Sequence, residues 1–345
     1  MELLLWVIHN KYAPFFLIST TFFLFSMHIF LKTTSFTRKI HGYGKVLYPY
    51  IVVFTGFIVI VTPLSAQKNR QNLFDGEAKS LSERWELDSA SRNGTFNLVP
   101  YKPIYVLLGN WSSNPNIKPQ SENPDYSVSQ DIPLNAAELK FQLSLKTKVL
   151  QGIFGGHGDL WVAYTQSSRW QLYNTQLSRA FRETNYEPEA MLTFATRYKL
   201  FGMNGRMLGI SFNHQSNGRA LPLSRSWNRI VFQAGFEKKD WTVLLRPWVR
   251  LNDEDDENPA IEDFTGRADL LISHALKGHQ LSLLAKHSLR FGNNSHGSLQ
   301  FDWALPISGH LKGHLQVFHG YGESMIDYNH KQTTIGLGVS LIEWQ

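Results

Sequence analysis

From Leu98 to the carboxyl terminus the chain is written in segments of about ten residues with apolar side chains at every second position, separated by turn-rich stretches. "AELKFQLSLKTKV", "GDLWVAYTQSSRW", "RMLGISFNHQS", "WNRIVFQAGFEKK" and "TTIGLGVSLIEW" are representative. A period of two is the period of a strand, so a chain of this kind is confined to β architectures. Beginning with "LVPYKPIYVLLGNW", twelve such segments can be counted. An even number is what a closed antiparallel barrel built from one bacterial chain requires.

Alternation alone would also suit a soluble sandwich, and two features favour a membrane barrel. Aromatic residues flank many segments (Trp111, Trp161, Trp170, Trp227, Trp241, Trp248, Tyr321 and Trp344), as interface girdles do. The second face is also too polar or too small for an ordinary core. In "RMLGISFNHQS", Leu208, Ile210 and Phe212 share one face, and Gly209, Ser211, Asn213 and Gln215 the other. A greasy exterior around a polar interior accounts for that division. The expected fold is therefore all-β: a twelve-stranded antiparallel transmembrane β-barrel over residues 98–345.

Residues 1–66 carry two apolar runs, "APFFLISTTFFLFSMHIFL" and "VLYPYIVVFTGFIVIVTPLSA". The second reads as a secretory signal: Lys32, Arg38, Lys39 and Lys45 flank it, and "LSA" before Gln67 is a small-residue cleavage site. Together the two runs could also be a pair of transmembrane helices. After Ala66, however, no apolar run approaches the roughly 18 residues a spanning helix needs. We therefore expect translation to start at Met27 or nearer Val46, the upstream extension being no part of the working protein. Residues 67–97 read as a polar extension with a short helix around Glu77 to Glu86.

The formal charge of +6 invites a nucleic-acid reading until the charges are located. Residues 1–66 hold five of the basic residues against Glu2, leaving 29 basic and 27 acidic residues in the remainder with no basic stripe. No nucleic-acid partner is expected. The absence of cysteine excludes thiolate chemistry and suits an oxidising periplasm.

The chemistry-bearing residues cluster in "GISFNHQSNGRALPLSRSWNRIVFQ". Strand parity puts His214 and Ser216 in the row of Leu208, Ile210 and Phe212, and Asn228 in the row of Ile230 and Phe232. If those rows face lipid, the three polar residues stand on the outside of the wall, beside acyl chains. A serine hydroxyl needs a base within hydrogen-bond reach, and a third group must fix the imidazole tautomer. Ser216, His214 and Asn228 supply those types. Asparagine in the third role keeps net charge away from hydrocarbon, where charged side chains cost up to about 2–4 kcal/mol at mid-depth. The bland alternative is an interfacial histidine, with Ser216 and Asn228 ending strands at a turn.

"YTQSSRWQL", "FRETNYEPE", "NHQSNGR", "SRSWNR" and "GYGESMIDYN" resemble blocks of the outer-membrane phospholipase A family of Gram-negative bacteria, over roughly residue 98 to the end. The resemblance implies calcium-dependent hydrolysis of acyl esters of phospholipids and lysophospholipids by an outer-membrane homodimer. It implies Ser216 as nucleophile, His214 as general base and acid, Asn228 as orienting residue, and the Gly218 N–H as oxyanion donor, assisted by a calcium-bound water. For Ca2+ it implies the Arg219 carbonyl and the Ser224 hydroxyl of one subunit, with Ser178 reaching across from the other. Gln166, in the apolar row of Leu160, Val162 and Tyr164, corresponds to the polar residue buried at the family's dimer interface. Leu221, where an aspartate is frequent, and Glu257 within "NDEDDENP" depart from the pattern and predict a weak or absent second ion site. A porin or adhesin that keeps the fold without catalysis is the competing expectation.

Overall fold

The structure, a computed structural model, describes residues 79–344; the expectations for residues 1–66 lie outside the described residues. Thirteen strands follow one another: β1 (Leu98–Pro100), β2 (Ile104–Ser112), β3 (Ala137–Leu150), β4 (Asp159–Trp170), β5 (Phe181–Leu200), β6 (Met203–Ser216) and β7 (Ser226–Lys238). Then come β8 (Trp241–Leu251), β9 (Ala268–Leu276), β10 (His279–His287), β11 (Gly297–Ser308), β12 (Leu311–Tyr321) and β13 (Lys331–Ile342). Two short helices, α1 (Leu81–Arg84) and α2 (Ile261–Thr265), complete the pattern.

Each strand from β3 to β13 pairs antiparallel with the next, and β2 pairs with both β13 and β3, so the sheet closes on itself. β1 lies on β3 just beyond β2, with Leu98 opposite Thr147 and Tyr105 opposite Gln142. The two are one barrel strand interrupted at Pro103, which has no N–H for the ladder. Twelve strands therefore form the barrel wall. β5 begins at Phe181, ahead of the expected "YEPEAMLTFATRYKL", because its inward row there is polar: Asn185 Nδ2 donates to Glu183 Oε1 (2.6 Å). One end of the barrel has two-residue turns (201–202, 239–240, 277–278 and 309–310), and the other has the long connections 113–136 and 252–267. Short turns mark the periplasmic end and long loops the extracellular end.

The outward rows are apolar and exposed, as Phe212 (46%), Phe232 (45%) and Leu337 (61%) illustrate. The inward rows carry Ser211, Asn213, Gln233 and Thr334, all buried. Ion pairs cross the interior: Lys102 with Glu187 (2.7 Å) and Glu189 (3.3 Å), Arg229 with Glu187 (3.4 Å), and Arg246 with both oxygens of Asp269 (2.8 Å each). In the 322–330 connection Glu323 accepts from Lys140 and Arg169. Such groups are tolerable away from water because each partner satisfies the other.

The girdle reading needs correction. Trp111 and Trp241 are exposed, but Trp161, Trp227, Trp248 and Trp344 are buried. Trp161 and Trp227 alternate with the outward rows Leu160–Val162 and Asn228–Ile230, and strand parity alone sends them inward. They stopper the barrel. Trp227, Val231, Trp248, Ile261, Met325 and Tyr328 form one apolar cluster near the long loops. Leu81, Trp85, Tyr101, Trp161, Met207 and Trp344 belong to the other, toward the short turns.

The segment before β1 takes part in the lower stopper. Ser80 caps α1 through a reciprocal pair with Glu83. Leu81 sits so close to Gly235 that a Cβ there would lie 2.5 Å from its methyl carbon. Trp85 packs edge-on against Tyr101 and Trp161, and the Lys146 ammonium lies 3.2 Å from the Trp85 ring centroid, a cation–π contact. Glu86 pairs with Lys148 (2.7 Å), and Arg206 ties Asp88 (2.6 Å) to β6.

Candidate active site

β6 and β7 form a hairpin in which His214 pairs with Asn228 and Ser216 with Ser226. Parity places His214, Ser216 and Asn228 on the outer face with Phe212 and Ile230, and all three are half-buried. His214 Nδ1 lies 2.8 Å from Asn228 Oδ1. A carbonyl oxygen only accepts, so Nδ1 carries the proton and Nε2 keeps a free lone pair. That is the tautomer a base needs in order to take a proton from a neighbouring hydroxyl. Ser216 is two positions along the same strand face, about 6.6 Å of rise away. Among the described residues its hydroxyl has no hydrogen-bond partner.

The connection 217–225 carries the other expected residues and is locked from within. Asn217, fully buried, accepts from the backbone N–H of Arg225 (2.9 Å) and Arg219 (3.3 Å), and donates to the Leu223 carbonyl (2.8 Å). Arg225, also buried, donates to the carbonyls of Ser224 (2.7 Å) and Tyr126 (2.8 Å), stapling this loop to the 113–136 connection. Burial pushes the Arg225 guanidinium below its ordinary range. Gly218 has φ +60°, and a Cβ there would lie 3.1 Å from the Tyr186 ring, so both backbone and space call for glycine. Asn217, Arg225 and Tyr186 had no place in the sequence-based site. Their signal was the polar and aromatic residues bracketing the Gly-Arg turn and the "NYEPE" block.

The oxygen donors expected for calcium fall into two groups. Ser224 Oγ donates to Glu257 Oε1 (2.6 Å), and Glu257 Oε2 is buried without a partner. Arg219 stands two residues after Asn217 in the same loop, its guanidinium reaching the Phe181 carbonyl (3.4 Å). Ser178 lies in the 171–180 connection, where its carbonyl accepts from Trp170 Nε1 (2.8 Å). Among the described residues it makes no hydrogen bond to Arg219 or Ser224. Leu221 is exposed. Hydroxyl, carbonyl and carboxylate oxygens are the donor set of a hard cation, and the orphaned Glu257 oxygen is a group such an ion would satisfy. The residues present fit calcium.

Gln166 faces outward on β4, bonded to Tyr164 (3.2 Å) and Ser168 (3.3 Å) of its own strand, and Ser168 in turn shares a hydroxyl bond with Thr184 (3.1 Å). A small polar island thus interrupts the outward row that Leu160, Val162 and Tyr164 form on β4.

A family profile described as phospholipase A1 matches residues 81–341. Phospholipase A1 of Escherichia coli strain K12 is 39% identical over 248 residues, covering 71% of this chain and 82% of that protein. Among solved structures, outer membrane phospholipase A of Escherichia coli carrying an asparagine-to-alanine active-site substitution superposes with a TM-score of 0.64 at 36% identity, covering 76% of this chain and 97% of that one. A calcium-bound outer membrane phospholipase dimer of Salmonella typhi gives a TM-score of 0.65 at 35% identity, covering 78% and 98%.

Proposed function

This chain belongs to the phospholipase A1 family and is an outer-membrane β-barrel ester hydrolase, and on that premise we propose that Ser216, His214 and Asn228 cleave acyl esters of phospholipids and lysophospholipids at its outer surface. The observation that carries the reading is the 2.8 Å contact between His214 Nδ1 and Asn228 Oδ1 on the same outward face as Ser216. It leaves the basic nitrogen free on an imidazole that stands two positions along the same strand face from an unpartnered hydroxyl.

His214 Nε2 takes the Ser216 proton as Oγ attacks the ester carbonyl, forming the Oγ–C bond. Negative charge collects on the carbonyl oxygen, and the Gly218 N–H is the donor we assign to it. That N–H makes no backbone hydrogen bond among the described residues. As the ester C–O bond breaks, His214 returns the proton to the departing glycerol oxygen. Water then attacks the acyl-serine, with His214 again acting first as base and then as acid. Asn228 holds the ring throughout but stabilises the imidazolium less than a carboxylate would.

The Arg219 carbonyl and Ser224 hydroxyl, with Ser178 of a second copy, would hold calcium, which when bound would supply positive charge to stabilise an oxyanion. The calcium-bound dimer of the Salmonella typhi relative supports both the ion and the assembly. A ligand set divided between two copies makes the homodimer the active form. Against a porin role stands the lumen, which apolar clusters stopper toward both ends.

The deciding experiment is Ser216→Ala, assayed on phospholipid vesicles with calcium. Hydrolysis should vanish while the heat-modifiable gel migration of a folded barrel persists. Undiminished hydrolysis would exclude the assignment.

A further inference from the structure

Between the two apolar clusters the barrel interior holds a polar chamber of about 160 Å³. Lys286 of β10 stands on its wall, in the inward row of Gln280, Ser282 and Leu284. In the ladder it lies between Asp269 of β9 and Ser298 of β11, both also on the chamber wall. Asp269 is already taken. Arg246 donates Nε to Oδ1 and Nη2 to Oδ2, each at 2.8 Å, in a bidentate pair.

The other cations of the chamber are matched as well. Lys102 pairs with Glu187 and Glu189, Arg229 with Glu187, and Lys140 and Arg169 with Glu323. Among the described chamber cations, Lys286 has neither an ion pair nor a hydrogen bond, and the hydroxyl of its neighbour Ser298 is likewise unpartnered. The wall thus carries six cationic side chains against four carboxylates. Lys286 is half-buried and faces Asp269 across the ladder without bonding to it, so its ammonium keeps free donors toward the chamber. The chamber has room for an ion with its own water, since one water needs only about 10–15 Å³ of such volume.

We infer that the chamber is a binding site for a small inorganic anion, held by the Lys286 ammonium and the Ser298 hydroxyl. Arg246, next along the row beyond Asp269, keeps that carboxylate engaged and so leaves Lys286 free for the anion. With apolar clusters toward both ends, the anion is a resident of the fold and not cargo in transit. The site lies inside the wall on β10, away from the outward hairpin of β6 and β7, and is independent of the hydrolytic reading.

The full chain in detergent tests this with bromide as the probe. Crystals grown in bromide should show anomalous density within about 3.5 Å of Lys286 Nζ, and Lys286→Met should lack it. In solution, replacing gluconate by bromide at constant ionic strength should raise the apparent unfolding midpoint by a few degrees and saturate. The rise should survive in Lys286→Arg and disappear in Lys286→Met. Should the methionine variant fail to fold, Lys286→Gln carries the comparison. A wild-type chamber without anomalous density, or the same bromide dependence in the neutral variants, overturns the inference.

Discussion

Gln166 and Ser216 stand in one transverse row of the barrel wall: Gln166 on β4 pairs with Tyr186 on β5, and Tyr186 pairs with Ser216 on β6. Two strand spacings, about 9.5 Å, separate them. Leu143 extends the row on the far side of Gln166 and is exposed, as is Tyr186. A second copy seated on Gln166 would therefore wall a groove that runs beside the serine. Dimer formation and substrate binding would share one strip of surface.

Gln166→Leu follows from that placement. The residue faces outward and bonds only within its own strand, so the barrel should fold as before. Interhelical polar contacts in membranes average about 0.6 kcal/mol, and a similar value here corresponds to roughly a threefold weaker dimer. Sedimentation equilibrium in calcium-containing micelles reads this directly. An unchanged dimer constant would remove Gln166 from the interface.

Asn228→Ala leaves His214 Nδ1 without its acceptor and frees the ring to turn. Misplacement of a reacting group by about 1 Å costs on the order of 10²-fold, and a fall of that size is expected in kcat with KM little changed. Asn228→Asp restores an acceptor at the same place and should recover part of the loss. If Asn228→Ala keeps full kcat, the 2.8 Å contact has no part in the reaction.

Much of this arrangement can be read from parity. Leu208, Ile210 and Phe212 fix which way His214 and Ser216 point, because a strand offers two faces and the interior cannot accept that row. The same rule would have turned Trp161 and Trp227 inward, but counting aromatics near segment ends hides it. The part that the segment before β1 plays in the lower stopper was not legible beyond its short helix. Leu81 and Trp85 lie in a stretch with no period, and their places depend on Gly235 and Lys146, far away in sequence. The bond from Ser224 to Glu257 is equally non-local. Reading Glu257 as a departure from a pattern gave no hint that its carboxylate would stand beside the hydroxyl expected to bind calcium.

That proximity makes a further prediction. Glu257 contributes its negative charge to the field around Ser224 whether or not it touches the ion. In an inactive Ser216→Ala background, Glu257→Gln should weaken calcium binding by about tenfold, because carboxylate charge tunes such sites. Ser224→Ala should weaken it as well and also strip Glu257 Oε1 of its donor. Calorimetric titration with calcium separates these outcomes from turnover. Calcium affinity that is indifferent to both substitutions would move the ion elsewhere.

Glu323 sets the behaviour of the extracellular mouth in acid. Burial raises its carboxyl, but Arg169 and Lys140 outweigh that and hold it at about 2, against an ordinary 4.5. A carboxylate depressed on folding contributes stability that is complete above its unfolded value and is lost as pH falls toward the folded one. The window here runs from about pH 4.5 down to about 2, and the contribution at neutral pH is of the order of 3 kcal/mol. Glu323→Gln should therefore destabilise the barrel at pH 7 and leave Arg169 buried without its counter-charge. As pH falls through the window, the gap between variant and wild type should narrow, closing near pH 2. Denaturant midpoints measured at pH 7, 4 and 2.5 trace that convergence. A constant gap across the three would show that the loop is held by packing of Met325 and Tyr328 instead of by charge.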